Sequence, residues 1–137
     1  MNGSGTVSRW RSWAPQLLSV LRIVAAFLFF QVGSAKWFAF PAAVMPGGGT
    51  APMGSSVWFA AVLEVVGGSL LFLGLFTRPV AFILAGEMAF AYFIGHARLG
   101  FWPVLNQGMP AILFCFLFLY LSAAGPGPWS LDAKRGT

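Results

Sequence analysis

Four runs of apolar residues, each close to the roughly 20 residues that carry a helix across a bilayer, leave this chain few ways to fold. They cover about residues 15–38, 56–76, 79–95 and 107–124. Nothing alternates with the period of two that a half-buried strand requires, so a closed β-barrel is not expected. Only 8% of the residues are charged, against roughly 25% in ordinary soluble domains. That is too little polar surface to clothe a globule in water. The expected fold is an all-α, integral membrane four-helix bundle with antiparallel, up-down-up-down helices. Residues 1–14 and 125–137 flank it as cytoplasmic segments, and residues 15–124 form the one domain.

The punctuation agrees with this division. "FPAAVMPGGGTAPMGSS" separates the first two runs and is too rich in Gly and Pro for a helix. "TRP" is all that joins the second run to the third, which makes those two helices antiparallel neighbours. "GPGP" ends the fourth. Pro15 suits a first helical turn. Arg9 and Arg11 before an apolar core give a faint outline of a signal peptide, but Arg22 interrupts that core.

The formal charge of +5 comes from cations scattered singly, with no basic stripe of the kind that binds nucleic acid. Read as orientation signals, Arg9, Arg11, Arg78, Lys134 and Arg135 outnumber Lys36 and Arg98 on the other side. Both termini are therefore expected in the cytoplasm of a bacterial-type inner membrane. A single Cys, Cys115, and a single His, His96, make no disulfide, redox pair or metal site. Cys115 reads as a small buried hydrophobe.

What remains are charges inside the spans, which cost about 2.5–3.5 kcal/mol each on insertion scales and normally face a partner or a cavity. Counted from the cytoplasmic starts of their helices, Arg22 and Glu87 lie at depths within about 3 Å of each other. An Arg22–Glu87 ion pair, direct or through water, is the expectation. Glu64 belongs to the outer half, where Lys36, His96, Asn106 and Gln107 converge near helix ends. Arg22, Ala26, Phe29, Gly33 and Lys36 share one stripe of the first helix, and Ala60, Glu64, Gly68 and Leu71 one stripe of the second. Gly33, Gly67, Gly68 and Gly74 allow close helix packing. Trp37, Trp58 and Trp102 read as interfacial anchors.

Two readings of these charges stand side by side. They fix the register of the bundle, or they build a polar pocket with Lys36 and His96 as donors and Glu64 or His96 as proton carrier. Apolar walls with a few convergent polar groups suit a quinone, for which Lys36, Glu64, His96, Asn106 and Gln107 are the candidate contacts. No haem, flavin, iron–sulfur or copper motif is visible, so no cofactor is covalently held and electrons would come from partner subunits. A homo-oligomer is a further option. The competing class is a non-catalytic scaffold or a small-solute binding or transport module, although no inverted repeat is evident.

Set out in this way, "LLSVLR" ending at Arg22, Gly33, Lys36, "LEVVGGSLLFLGLFTR", His96 and the tail "GPGPWSLD" ending at Asp132 resemble the DoxX family. The resemblance runs over about residues 16–132. It implies a four-helix inner-membrane protein linked to quinone-dependent oxidoreduction, including the small subunits of thiosulfate:quinone oxidoreductase or terminal quinol oxidase. One departure stands out. The family pattern has Asn-Gly-Gly-Glu where this chain reads "NQGMP", so Met109 replaces an acid. Any proton chemistry of that acid would here fall to Glu64.

Overall fold

Helix formation in this chain is set by the apolar runs, and its interruptions by Gly and Pro. The structure, a computed structural model, describes residues 3–136. Helix α1 spans Gly3–Phe38, α2 Ser56–Leu73 and α3 Thr77–Ala91, the last continuing through a π turn (Tyr92–His96) and a 3-10 turn (Ala97–Leu99). After a short helix α4, Pro103–Asn106, come α5, Met109–Ala124, and α6, Leu131–Arg135. Among the described residues there is no strand. Three stretches, Gly5–Phe38, Ser56–Leu73 and Thr77–Leu99, are long and apolar enough to cross a membrane, and Met109–Ala124 is a shorter apolar helix.

The first helix corrects the expected boundaries. It does not start at Pro15 but runs through it, back to Gly3. At 1.5 Å per residue its 36 residues reach about 54 Å, well beyond the roughly 30 Å of a hydrocarbon core. Its first turns, carrying Trp10 and Trp13, stand exposed. A proline costs a helix one hydrogen bond and a steric clash. At Pro15 the side chain is exposed, and its carbonyl accepts the Ser19 hydroxyl at 3.4 Å.

Helices α1 and α2 pack closely along a seam of small residues, and α3 packs on α5. A Cβ added at Gly33 would stand 2.6 Å from the Glu64 Cβ and 2.9 Å from the Ala61 carbonyl oxygen. One added at Gly68 would meet the Phe30 backbone at 3.2 Å, and one at Gly67 would strike Leu84 of α3. Between the helix pairs, Phe29 inserts its ring against Phe118 (4.8 Å, edge-on) and Phe114 of α5. Phe29, Leu71, Leu84, Phe118 and Leu121 form the buried centre.

The end of the molecule where α2 turns into α3 is closed by a staple, and here the largest correction falls. Arg22, fully buried, makes no contact with Glu87. Its Nη1 donates to the Leu71 and Phe72 carbonyls (2.7 Å to Phe72), its Nε to Pro126 (2.8 Å) and its Nη2 to Trp129 (2.5 Å). The first two are carbonyls of the last turn of α2, where Leu71 also accepts the Gly74 N–H at 3.1 Å. The other two belong to the "GPGPW" segment, whose prolines and glycines keep it out of any helix. The helix-end negative dipole adds to the attraction. Depth matching failed because α1 extends below Pro15, which places Arg22 level with the α2–α3 turn rather than with the middle of α3.

Asp132 completes the staple from the opposite sign. Its carboxylate accepts the Phe76 and Thr77 backbone N–H groups, at 2.9 and 2.8 Å. It thereby caps the positive end of α3, where Phe76 supplies no side-chain cap. The Asp132 N–H returns to the Gly74 carbonyl at 2.9 Å. Gly74 must be glycine: its φ is +67° and a Cβ would stand 2.4 Å from that of Ser130. Burial works against the charge of Asp132, but the backbone donors at Thr77 and Phe76 and the nearby Arg135 outweigh it, holding the carboxyl below its ordinary range.

Two outcomes follow from this packing. Gly33→Ala is expected to destabilise by roughly 1–3 kcal/mol through overpacking. Gly86→Ala, on a helix position with open space around it, is expected to be neutral or stabilising by up to about 1 kcal/mol. Thermal melting in detergent checks both. Because Asp132 ionises more readily folded than unfolded, its contribution is present above the unfolded carboxyl pKa and lost as pH falls through the folded one. Asp132→Asn should therefore melt lower than the native chain at neutral pH, the gap closing in acid.

Candidate functional site

Glu64 is the one charged residue of helix α2, and a glutamate in such an apolar run is kept only with a partner. The partner is Lys36, from the last turn of α1. Its Nζ lies 2.6 Å from Glu64 Oε1. The close approach permitted by Gly33, one turn before Lys36, brings the two helices near enough for this reach. Glu64 is 1% exposed, whereas the Lys36 side chain keeps 24% of its surface, so the pair opens toward the loop end only. The Lys36 carbonyl in turn accepts the Ala51 N–H at 2.7 Å, fastening the Gly/Pro-rich loop over this end. Trp37 and Trp58 stack edge to face beside it.

Only half of the Glu64 carboxylate is used. Its Oε2 has no hydrogen-bond partner, and neither has either oxygen of Glu87, although all three atoms are buried. Glu64 lies nine residues before the end of α2, and Glu87 ten residues after the start of α3. At the helical rise the two stand at heights within about 2 Å of each other. Leu84, one turn before Glu87, already touches Gly67, one turn after Glu64. Glu64 and Lys36 both act electrostatically on Glu87. The acid expected opposite Arg22 thus stands at the height of Glu64, with neither oxygen hydrogen-bonded.

The other expected members of the outer cluster assemble separately. His96 Nδ1 lies 2.9 Å from the Asn106 carbonyl. Asn106 is buried, its amide donating to the Gly100 carbonyl (2.8 Å) and its Oδ1 accepting the Gly108 N–H (2.8 Å). All of the Asn106 side chain is thereby spent on shaping the α4–α5 connection. Gln107 stands exposed in a left-handed turn, φ 59°. Met109, in place of the family's acid, is half-exposed at the start of α5. No hydrogen bond or ion pair joins His96, Asn106 or Gln107 to Lys36 or Glu64, which corrects the expectation of one converging pocket. The π turn under His96 carries an extra residue per turn; nothing in the linear pattern marks it. No grouping of His, Cys, Asp and Glu able to hold a metal occurs among the described residues.

Comparisons with known proteins place the chain in one setting. The sequence model of the DoxX family matches residues 17–97. An uncharacterised protein of Haemophilus influenzae is 46% identical over 125 residues, covering 89% of this chain and 92% of the relative. The inner membrane protein YphA of Escherichia coli is 30% identical over 131 residues, covering 88% and 91%. An uncharacterised membrane protein of Mycobacterium tuberculosis is 29% identical, covering 90% and 85%. No solved structure matches.

Removing one partner of a buried ion pair strands the other. Lys36→Met should therefore destabilise the protein by about 3 kcal/mol, while Lys36→Met combined with Glu64→Gln recovers most of that loss. A double-mutant cycle of thermal or denaturant unfolding in detergent reads the difference.

Proposed function

The chain belongs to the DoxX family, and from that premise we propose that it is an inner-membrane, quinone-interacting accessory subunit of an oxidoreductase system. Its four apolar helices form an antiparallel bundle with both termini in the cytoplasm. Opposed contact order along α1 and α2 supports the arrangement: Lys36 meets Glu64 while Arg22 meets Leu71. The five cations Arg9, Arg11, Arg78, Lys134 and Arg135 at the terminal end support the orientation.

The observation that carries the functional reading is the Lys36–Glu64 pair, buried within the spans with a carboxylate oxygen still uncommitted. Register alone does not call for that. A helix pair already fixed by Gly33 and Gly68 needs no ion pair to hold it, and a buried pair is weak support for stability. One turn along α2 from Glu64, a groove of about 340 Å³ opens between α1 and α2, lined by Phe27, Phe30, Gly68, Ser69, Phe72 and Leu73. It faces outward from the bundle and is apolar and aromatic, the surroundings a quinone ring and its isoprenoid chain take from a membrane. Reduction of a quinone takes up protons, and Glu64, one turn along α2 behind the groove wall, is the acid of that helix. Electrons come from a partner subunit, since this chain's own residues offer acid–base groups and an apolar wall.

Titration of the purified protein with a short-chain quinone analogue tests the reading. Saturable binding, weakened at least tenfold in Glu64→Gln and in Lys36→Met, is the expected result. Absence of saturable binding to the native chain rejects it and favours a scaffold or solute-binding module.

A further inference from the structure

Lys36 is paired with Glu64, and Glu87 stands at the height of Glu64 on the neighbouring helix. Their formal sum, one cation against two anions, is unbalanced, and hydrocarbon makes a net charge there costly. Among the described residues no second cation pairs with either glutamate, and Arg98 stands exposed. Arg22 is bound at the staple by four carbonyls. Arg78 donates to the Ser122 and Ala123 carbonyls at the terminal end of the bundle. From α5 the only half-buried titratable side chain is Cys115, since Tyr120 points outward. On α3 itself, Tyr92 lies beyond the next turn and His96 is engaged with Asn106. Three carboxylate oxygens stand buried without a donor: Glu64 Oε2 and both oxygens of Glu87. An oxygen in that position is satisfied by a hydrogen between the two acids.

We infer that Glu64 and Glu87 together form an intramembrane proton site, holding one exchangeable proton between two carboxylates with Lys36 as the fixed counter-ion. The site takes its proton from the loop end, where Lys36 remains partly exposed, because the other end is closed by Phe29, Leu71, Leu84 and Phe118 and by the Arg22 staple. Like charges close together cannot both remain ionised in such surroundings, and one shared proton brings the cluster to neutrality. The step is a transfer of H⁺ alone, with no redox partner required. The inference stands independently of whether a quinone binds.

The chain contains only three acidic side chains, Glu64, Glu87 and Asp132, and Asp132 is held as the charged cap of α3. Infrared spectroscopy of the full chain in nanodiscs, before and after deuterium exchange, can therefore count protonated carboxyl groups. At pH 7 the native chain should show one protonated-carboxyl C=O band that shifts on deuteration. Glu64→Gln and Glu87→Gln should each abolish it, since one acid then balances Lys36. Lys36→Met should double its intensity, a gain that a misfolded variant would not give. Circular dichroism establishes that each variant keeps its helices. No band in the native chain overturns the inference, as does a band surviving both glutamine substitutions. Loss of the band on adding sodium at constant pH also overturns it and assigns the oxygens to a metal cation.

Discussion

A charge drawn into hydrocarbon must find its counterpart within the protein, and that constraint organises this molecule from end to end. At one end Arg22 gathers four carbonyls, two from the α2 terminus and two from the tail. Asp132, from the same tail, caps the start of α3. A positive group sits on the negative end of one helix and a negative group on the positive end of the next, across the three-residue turn that joins them. At mid-span Lys36 meets Glu64. Between them, Gly33 and Gly68 set how closely α1 and α2 pack.

The two sets of contacts differ in what they leave over. Arg22 is a planar fork with five donors, four of which meet backbone carbonyls, two on the α2 side and two on the tail. The Asp132 carboxylate is likewise engaged through both oxygens. These structural charges each make several hydrogen bonds. The mid-span cluster leaves one oxygen of Glu64 and two of Glu87 bare. That contrast separates the groups that hold the bundle from the groups available for chemistry. It is also why Glu64 and Glu87, rather than the better satisfied His96–Asn106 knot, carry the functional reading.

Much of this was legible from residue patterns. Apolar run length gave the helices, and the 3.6-residue stripe through Arg22, Ala26, Phe29, Gly33 and Lys36 named a face that the structure buries, apart from the half-buried Lys36 at its end. Gly33 and Gly68 were readable as close-packing positions because they fall on the inward stripes that carry Lys36 and Glu64. The pairing of charges was not legible in the same way. Matching depth along helices needs a reliable zero, and α1 hid its zero by continuing helical through Pro15. Carbonyl partners for Arg22 leave no mark in a sequence at all, since every residue has one; the sole hint was that "GPGP" supplies carbonyls no helix can use. The split between the Lys36–Glu64 pair and the His96–Asn106 knot arose from the π turn at Tyr92–His96, which rotates His96 by a residue relative to an α-helical count.

The account rests on Lys36 and Glu64 being joined inside the membrane, and the distance between them can be read in a bilayer. Solid-state NMR on protein labelled with ¹⁵N-lysine and ¹³C-glutamate, reconstituted in lipid, measures the coupling between the Lys36 ammonium and the Glu64 carboxyl carbon. A strong coupling, as a 2.6 Å nitrogen–oxygen contact requires, and its disappearance in Glu64→Gln is the predicted result. A lysine ammonium with no carboxyl carbon within reach would contradict the account.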